Sequence, residues 1–168
     1  MLIVSKILIA YITKTGTTKE ISEEIAKIMG ENGFQVELKD MLTVQSLEDC
    51  SAIILGAPIN GFRWLPEAEK FIADHKAELS NIPTAYFIVS YLLKAGRPSL
   101  QNKMRGTLKN AKAIAAPIFE GYFGGKVDSS FPAVFRLMFG VKKGTPYDVR
   151  DWDEIRTWAK DLASKLKV

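Results

Sequence analysis

A cluster of hydroxyl side chains surrounds one glycine near the start of the chain. Residues 13–18 are Thr-Lys-Thr-Gly-Thr-Thr, and they lie between an apolar run over 7–12 and a helical pattern that begins at Glu20. The first N–H groups of a helix lack intrahelical partners and the helix dipole adds positive charge there, so a loop at this point stabilises an anion. Gly16 permits a tight backbone, and the loop contains no carboxylate that would repel the ligand. The pattern predicts a phosphate site.

The length and composition of this loop narrow the choice of ligand. The loop is shorter than the Gly-rich loop ending in Gly-Lys-Ser/Thr that holds a nucleoside triphosphate, and it lacks the three-glycine turn of a dinucleotide site, so a phosphate monoester fits better. The alternative is a Thr-rich helix cap without a ligand, because Thr and Ser are ordinary N-caps. We favour the phosphate site because a strand pattern and a helix pattern flank the loop. The residues predicted to bind the phosphate are Thr13, Lys14, Thr15, Gly16, Thr17 and Thr18.

The size of the chain indicates one domain. Its 168 residues can bury a full hydrophobic core, and we expect residues 1–168 to form a single domain. The sequence contains no continuous apolar stretch of roughly 18 residues, and its start lacks the pattern of a signal peptide. We therefore expect a cytoplasmic protein without a membrane-spanning segment.

The net charge and the rarest residue types limit the partners. A formal net charge of +4 at pH 7 favours anionic partners, and scattered Lys and Arg residues without interleaved aromatics argue against nucleic acid. The single cysteine, Cys50, and the single histidine, His75, have no companions at metal-ligand spacing, so we expect neither an internal disulfide nor a metal site. We expect Cys50 to be a small core or surface thiol rather than a nucleophile, and His75 to be solvated at a polar helix end.

Apolar runs alternate with helical periodicity along the chain, which predicts an α/β fold. The runs at 52–55 and 86–89 are apolar on both faces, as strands are when helices cover both sides of a parallel sheet. We predict a doubly wound five-stranded parallel sheet with helices on both faces, in a three-layer sandwich. The predicted strands are residues 7–12, 34–38, 52–57, 84–90 and 113–119. The principal predicted helices follow the first loop, span 67–78 and span 151–167.

Three loops are expected to form the binding site, because ligands in an open doubly wound sheet bind beyond the carboxyl ends of the strands. These loops are residues 13–18, 58–64 and 91–98. The second loop places an Asn-Gly turn at Asn60 and Gly61 beside Phe62 and Trp64, which suits a flat ring held by stacking and by backbone hydrogen bonds. For Trp64 the alternative is packing against the following helix.

The first loop resembles the phosphate loop of the flavodoxin-like superfamily. The pattern Thr/Ser-x-Thr-Gly-x-Thr is met by Thr13, Thr15, Gly16 and Thr18. The resemblance implies FMN as the cofactor, with its phosphate in the first loop without a metal ion and its isoalloxazine ring between residues 58–64 and 90–94. It also implies that the redox chemistry takes place on FMN, so no catalytic side chain is required. Beyond the first loop, the implied cofactor-binding residues are Pro58, Ile59, Asn60, Gly61, Phe62, Trp64, Ser90, Tyr91, Leu92 and Leu93.

Nearly the whole chain is similar to one branch of this superfamily, the menaquinone-dependent protoporphyrinogen IX dehydrogenases. The similar stretches are residues 56–59, 71–75 and 144–152. The similarity implies an FMN-dependent oxidoreductase that passes electrons from a protoporphyrinogen-type substrate to a quinone. The alternative is a non-catalytic flavodoxin-type shuttle between redox partner proteins. Shuttle flavodoxins are generally acidic, whereas this chain is basic, which favours the enzyme.

The segment 121–144 is longer than an ordinary connection between a strand and a helix. We predict a short capped helix within residues 130–140, which are rich in Phe, Leu and Met. The basic residues that flank it are Lys126, Arg136, Lys142 and Lys143. The composition of the stretch from Phe131 to Lys143 suits an apolar substrate that carries carboxylates. It equally suits peripheral contact with the anionic inner face of a membrane. The alternative is that the aromatic residues seal one edge of the sheet.

Overall fold

The computed structural model describes residues 5–167, and a β-sheet lies at its centre. The strands are β1 Lys6–Tyr11, β2 Gln35–Asp40, β3 Ala52–Asn60, β4 Arg63–Trp64, β5 Thr84–Ser90 and β6 Phe119–Gly124. Their order is β2-β1-β3-β5-β6, and these five strands are parallel. The short strand β4 pairs with β3 in the antiparallel sense outside this path. The predicted doubly wound sheet is confirmed.

Helices cover both faces of the sheet. They are α1 Thr17–Glu31, α2 Pro66–Asp74, α3 Lys76–Leu79, α4 Leu92–Ala95, α5 Pro98–Arg105, α6 Lys109–Ile114, α7 Ala133–Met138 and α8 Trp152–Leu166. Successive strand residues point to opposite faces, so Ile7 and Ile9 of β1 pack with α1 and α8, while Leu8 and Ala10 pack with α2, α5 and α6. The predicted three-layer arrangement is confirmed. Among the helices within residues 5–167, none is long and apolar enough to cross a membrane.

The last strand of the sheet is not where the sequence places it. The predicted strand at 113–119 is wrong, because Lys109–Ile114 forms a helix and the strand is Phe119–Gly124. Alanine is the strongest helix former, so the alanine-rich stretch continues a helix, and glycines weaken the strand signal of β6. A Cβ at Gly121 would lie 3.0 Å from the ring of Trp158. Packing against α8 therefore favours glycine in a strand that local preference does not reveal.

The helix predicted at 67–78 is interrupted at His75. This residue has φ −110° and separates α2 from α3. Its side chain is only 15% exposed, and its ring centroid lies 4.5 Å from that of Phe71. Its Nδ1 atom lies 3.4 Å from Oε1 of Glu78. The prediction that His75 is solvated is therefore wrong.

The middle of the sheet contains one very close contact. Gly56 of β3 lies beside Phe87 of β5, and a Cβ at Gly56 would lie 1.9 Å from Cζ of the Phe87 ring. Phe87 is fully buried and packs against Phe123 and Trp158. The carbonyl of Gly56 accepts a hydrogen bond of 2.9 Å from the N–H of Ile12. This strand position therefore connects the core directly to the start of the first loop.

Candidate functional site

The first loop joins β1 to α1 and leaves the start of the helix open. Gly16 precedes the helix with φ 89°, and no side chain of the described residues caps it. The N–H of Gly16 donates to Oγ1 of Thr13 at 2.9 Å, and the hydroxyl oxygens of Thr15 and Thr17 lie 3.3 Å apart. A Cβ at Gly16 would meet no atom of residues 5–167 within 4 Å. The N–H groups of the first turn are thus available to an external acceptor, as an anion site requires.

The charges around the first loop are compatible with an anion. Lys14 is exposed, and its ammonium lies 3.8 Å from the carboxylate of Glu67. Glu20, which lies in the first turn of α1, forms an ion pair with Arg150. Hydrogen bonds with Asp148 and Glu20 raise the pKa of Arg150, and the guanidinium lowers the pKa of Asp148. Arg150 therefore neutralises negative charge next to the start of the helix.

The second loop is a tight hairpin between β3 and β4. Asn60 pairs with Arg63, so Gly61 and Phe62 are the central residues of the turn, with φ 58° and 62°. Positive φ at both central positions is the property of a type I′ turn, in which Gly and Asn are the usual residues. The sequence centres the turn on Asn60 and Gly61, and the structure corrects this by one residue. Phe62 therefore lies in the turn, and Trp64 lies in β4 opposite Ile59.

Trp64 lies in the core rather than in the binding site. Its side chain is fully buried, its Nε1–H donates to the carbonyl of Ala57 at 3.0 Å, and its ring centroid lies 5.8 Å from that of Tyr86. The prediction that Trp64 contacts the cofactor is therefore wrong. Its side chain packs in the core instead. Phe62 is 39% exposed instead, and it packs edge-on against Phe139 with centroids 5.8 Å apart.

The third loop is held by hydrogen bonds and by the segment that follows β6. Oγ of Ser90 accepts the N–H of Leu92 at 3.2 Å. Tyr91 is buried, its hydroxyl donates to the carbonyl of Pro146 at 2.8 Å, and its ring centroid lies 5.8 Å from that of Phe131. Burial raises the pKa of Tyr91, so the hydroxyl remains a donor at neutral pH. The loop and the segment are thereby fixed to each other.

The three loops meet in a cleft of about 430 Å³ at the carboxyl edge of the sheet. The predicted residues that line it are Thr13, Lys14, Thr15, Thr17, Thr18, Pro58, Ile59, Asn60, Ser90, Tyr91 and Leu92. The predicted residues that do not line it are Gly16, Gly61, Phe62, Trp64 and Leu93. Gly16 and Gly61 shape their loops through positive φ, Phe62 faces a neighbouring groove, and Trp64 and Leu93 belong to the core.

The cleft has a fourth wall whose residues the sequence does not predict to bind the cofactor. These residues are Val89, Gly125, Lys126, Val127, Phe131 and Phe139. Residues 125–127 directly follow β6 and reach the same edge of the sheet as the other loops. With β6 placed at Phe119–Gly124, the rule that ligands bind beyond the carboxyl ends of the strands would have indicated them. Because the last strand was predicted too early in the chain, residues 125–127 were not predicted to line the cleft.

The segment 125–149 is tied together at its base. The N–H of Val149 donates to the carbonyl of Gly125 at 3.1 Å, and the N–H of Val127 donates to the carbonyl of Tyr147 at 2.9 Å. Arg136 of α7 donates to the carbonyl of Thr145 at 2.6 Å. The predicted short helix within this segment is confirmed as α7.

The two sides of this segment differ. On the inner side, the partly buried rings of Phe131 and Phe139 line the cleft and pack against the buried side chains of Tyr91, Ala95 and Val141. On the outer side, Val134, Leu137 and Met138 are 62, 82 and 53% exposed. Basic residues at positions 142 and 143 follow this apolar face. An exposed apolar face of this kind is typical of a contact surface.

The fold and the cleft define a flavodoxin-like α/β protein, with a threonine-rich loop before its first helix and a cleft at the carboxyl edge of its sheet. The family described as Flavodoxin domain matches residues 8–139, and the chain belongs to this family. Membership of the family implies that the protein binds a flavin.

Known proteins resemble the chain over nearly its full length. A flavodoxin from the domain Archaea is 18% identical, with a TM-score of 0.61, and the match covers 97% of this chain and 99% of that one. Oxidised flavodoxin 1 from Bacillus cereus is 17% identical, with a TM-score of 0.58 and 97% coverage of both chains. A protein of Escherichia coli strain K12 named protoporphyrinogen IX dehydrogenase (quinone) is 22% identical over 176 residues, which cover 94% of each chain. The structural matches establish the fold.

Proposed function

We propose that this protein is an FMN-dependent oxidoreductase that passes electrons from a reduced apolar substrate to a quinone. The observation that carries the proposal is the open start of α1 at one end of a cleft whose other walls are mostly apolar. FMN has a phosphate at one end and a flat ring at the other, and when bound it supplies the electron-accepting chemistry. The residues of the cleft fit such a molecule.

The phosphate end of the cleft is formed by the first loop. In the proposal, the hydroxyls of Thr15 and Thr17 and the first N–H groups of α1 hold the phosphate, while Thr13 fixes the loop through the N–H of Gly16. Lys14 and Lys126 supply positive charge, and none of the described residues that line the cleft is acidic. A dianion would therefore gain hydrogen bonds there, and Glu20, the acidic residue in the first turn of α1, is paired with Arg150.

The ring end of the cleft lies between the hairpin and the third loop. Ile59, Leu92 and Phe131 offer apolar contacts there, and the polar groups of Asn60 and Ser90 can fix the orientation of the ring. We propose that the peptide between residues 60 and 61 would supply a hydrogen bond to the ring of a bound flavin. Gly61 would leave this peptide free to adopt more than one orientation.

The E. coli relative supports a dehydrogenase. Its name gives a protoporphyrinogen substrate and a quinone acceptor, and it aligns with this chain over 94% of both lengths. The exposed apolar face of α7 and the net charge of +4 suit an apolar acceptor at an anionic membrane surface. We propose that the protein acts at the cytoplasmic face of such a membrane. We also propose that residues 1–168 form one domain.

FMN binding is tested by titrating the protein with FMN and with riboflavin, which lacks the phosphate. We expect FMN to bind more tightly. The Thr13→Val variant removes the acceptor for the N–H of Gly16, so the dissociation constant for FMN should rise about tenfold while that for riboflavin stays unchanged. Thr157→Val, the same change on the exposed side of α8, is the control. Equal effects on both flavins would contradict the phosphate site.

The reaction is tested anaerobically by mixing the FMN-loaded protein with protoporphyrinogen IX and a soluble quinone. Oxidation of the macrocycle to protoporphyrin removes six electrons and six protons, which reduce three quinones. We expect porphyrin fluorescence to appear faster than with protein stripped of FMN. If FMN binds but only redox proteins exchange electrons with it, the protein is a shuttle and the dehydrogenase proposal is wrong.

A further inference from the structure

A second groove lies next to the cleft and shares one wall with it. Its volume is about 320 Å³. Phe139 lines both spaces, and the other apolar walls of the groove are Phe62, Leu100 and Met138. Its charged lining residues are Arg97 and Lys103, and no acidic residue of the described chain lines it. The groove is therefore apolar, positively charged and adjacent to the proposed flavin site.

Phe62 occupies this groove in a backbone conformation that bulky residues rarely adopt. It has φ 62° at the second central position of the hairpin turn, where Gly and Asn are usual. The turn itself does not call for an aromatic residue, because a glycine would adopt this conformation freely. Strained residues that persist in a structure are concentrated at binding and catalytic sites. The ring is thus placed in the groove at a conformational cost.

The cationic groups of the groove are directed at its apolar walls. Nζ of Lys103 lies 4.8 Å from the centroid of the Phe62 ring, and within residues 5–167 no carboxylate forms an ion pair with it. The guanidinium of Arg97 donates to the carbonyl of Met138. The backbone N–H of Arg97 donates to the carbonyl of Phe139 at 3.0 Å. Arg97 therefore positions one wall, and Lys103 is available to an anion.

We infer that this groove binds the carboxylate-bearing edge of a protoporphyrinogen-type macrocycle. This assignment rests on the proposed function. The rings of Phe62 and Phe139 contact the macrocycle, and the ammonium of Lys103 pairs with a carboxylate at its rim. The remaining N–H donors of Arg97 support the same carboxylate. Because Phe139 also lines the cleft, a macrocycle held in this way lies beside the flavin site.

The assignment is tested with two probes, protoporphyrin IX and its dimethyl ester, which have the same ring system and differ in their two carboxylates. Binding of each to the FMN-loaded protein is followed by fluorescence in the same detergent. Wild type should prefer the diacid. Lys103→Gln should weaken diacid binding about three- to fivefold, as loss of an exposed ion pair does, and leave ester binding unchanged. Lys160→Gln, the same charge change on α8, should change neither.

A second variant tests the aromatic wall. Phe62→Asn introduces a residue that accepts positive φ, so the hairpin remains and the ring is lost. Both probes should bind about tenfold more weakly, while the dissociation constant for FMN stays the same. Failure of wild type to bind the diacid, or an unchanged preference in Lys103→Gln, would overturn the assignment.

These outcomes separate the two proposals. If FMN binds and protoporphyrinogen is oxidised while Lys103→Gln behaves as wild type, the groove is wrongly assigned and the proposed function stands. If FMN does not bind, the proposed function fails whatever the probes do.

Discussion

The contact between Gly56 and Phe87 predicts a large effect of the smallest possible substitution. In Gly56→Ala, the added Cβ would lie 1.9 Å from Cζ of Phe87, whereas ordinary contacts begin near 3.4 Å. The ring must therefore retreat by the difference between 3.4 and 1.9 Å, about 1.5 Å. Phe87 is fully buried between Phe123 and Trp158, so it has no free space into which to move.

The expected cost follows from this overlap. Overpacking a closed core typically costs 1–3 kcal/mol, and a displacement of this size belongs at the upper end, so Gly56→Ala should lower the free energy of unfolding by about 3 kcal/mol. For a chain of this length, that corresponds to a fall in Tm of about 6 to 12 °C. Urea denaturation followed by circular dichroism measures the free energy. Gly30→Ala is the matched control, because its Cβ meets no described atom within 4 Å, and it should not destabilise.

A double-mutant cycle identifies the cause. Phe87→Leu lacks the ring atoms that the new Cβ would strike, and it costs about 1 to 3 kcal/mol by itself through the cavity that it leaves. In that background, Gly56→Ala should cost less than about 1 kcal/mol. If Gly56→Ala costs the same in both backgrounds, overlap with the ring of Phe87 is not the reason for the glycine and the reasoning is refuted.

Three further predictions concern charge, a buried hydrogen bond and the exposed helix. Hydrogen bonds, chiefly from Lys39, lower the pKa of Glu37 to about 2, so its ion pairs stabilise the fold fully above the ordinary glutamate pKa and lose this effect as pH falls through about 2. Glu37→Gln should thus be less stable than wild type in urea at pH 7, and the difference should vanish near pH 2. Trp64→Phe leaves the carbonyl of Ala57 without its donor, so the free energy of unfolding should fall by about 1 to 3 kcal/mol, and an unchanged value would contradict the buried bond. Leu137→Glu should change the free energy of unfolding by less than about 0.5 kcal/mol, because Leu137 is 82% exposed, and it should weaken sedimentation with anionic vesicles, whereas full retention would argue against membrane contact through α7.

The features that depend on local sequence could be predicted. The threonine loop and the apolar stripe of the following helix are contiguous patterns, and a helix begins at Thr17 as they require. The strands that are buried on both faces have continuous apolar runs, so β3 and β5 lie close to their predicted places. From these elements, the topological rule for doubly wound sheets was enough to bring three loops together.

The features that depend on distant contacts could not be predicted. Gly121 weakens the strand signal of β6 because it makes room for Trp158, which lies far away in the sequence. The hairpin turn is displaced by one residue from the Asn-Gly pair, and burial of Trp64 against Tyr86 accompanies that displacement. Neither packing partner is visible in the local pattern. The fourth wall of the cleft was missed for the same reason.

The closed base of the segment 125–149 has a consequence for how such a protein can change. The two ends of the segment are joined by the hydrogen bond from Val149 to Gly125, so this long loop leaves the sheet and returns to it at the same place. Loop-closure entropy grows slowly with length, and an excursion of this size costs roughly 1.5 kcal/mol more than a four-residue turn. A shorter or unrelated insert could therefore be exchanged at this junction without disturbing the order of the strands. Recombination at this junction would then replace Lys126, Phe131 and Phe139 in the wall of the cleft and leave the threonine loop in place.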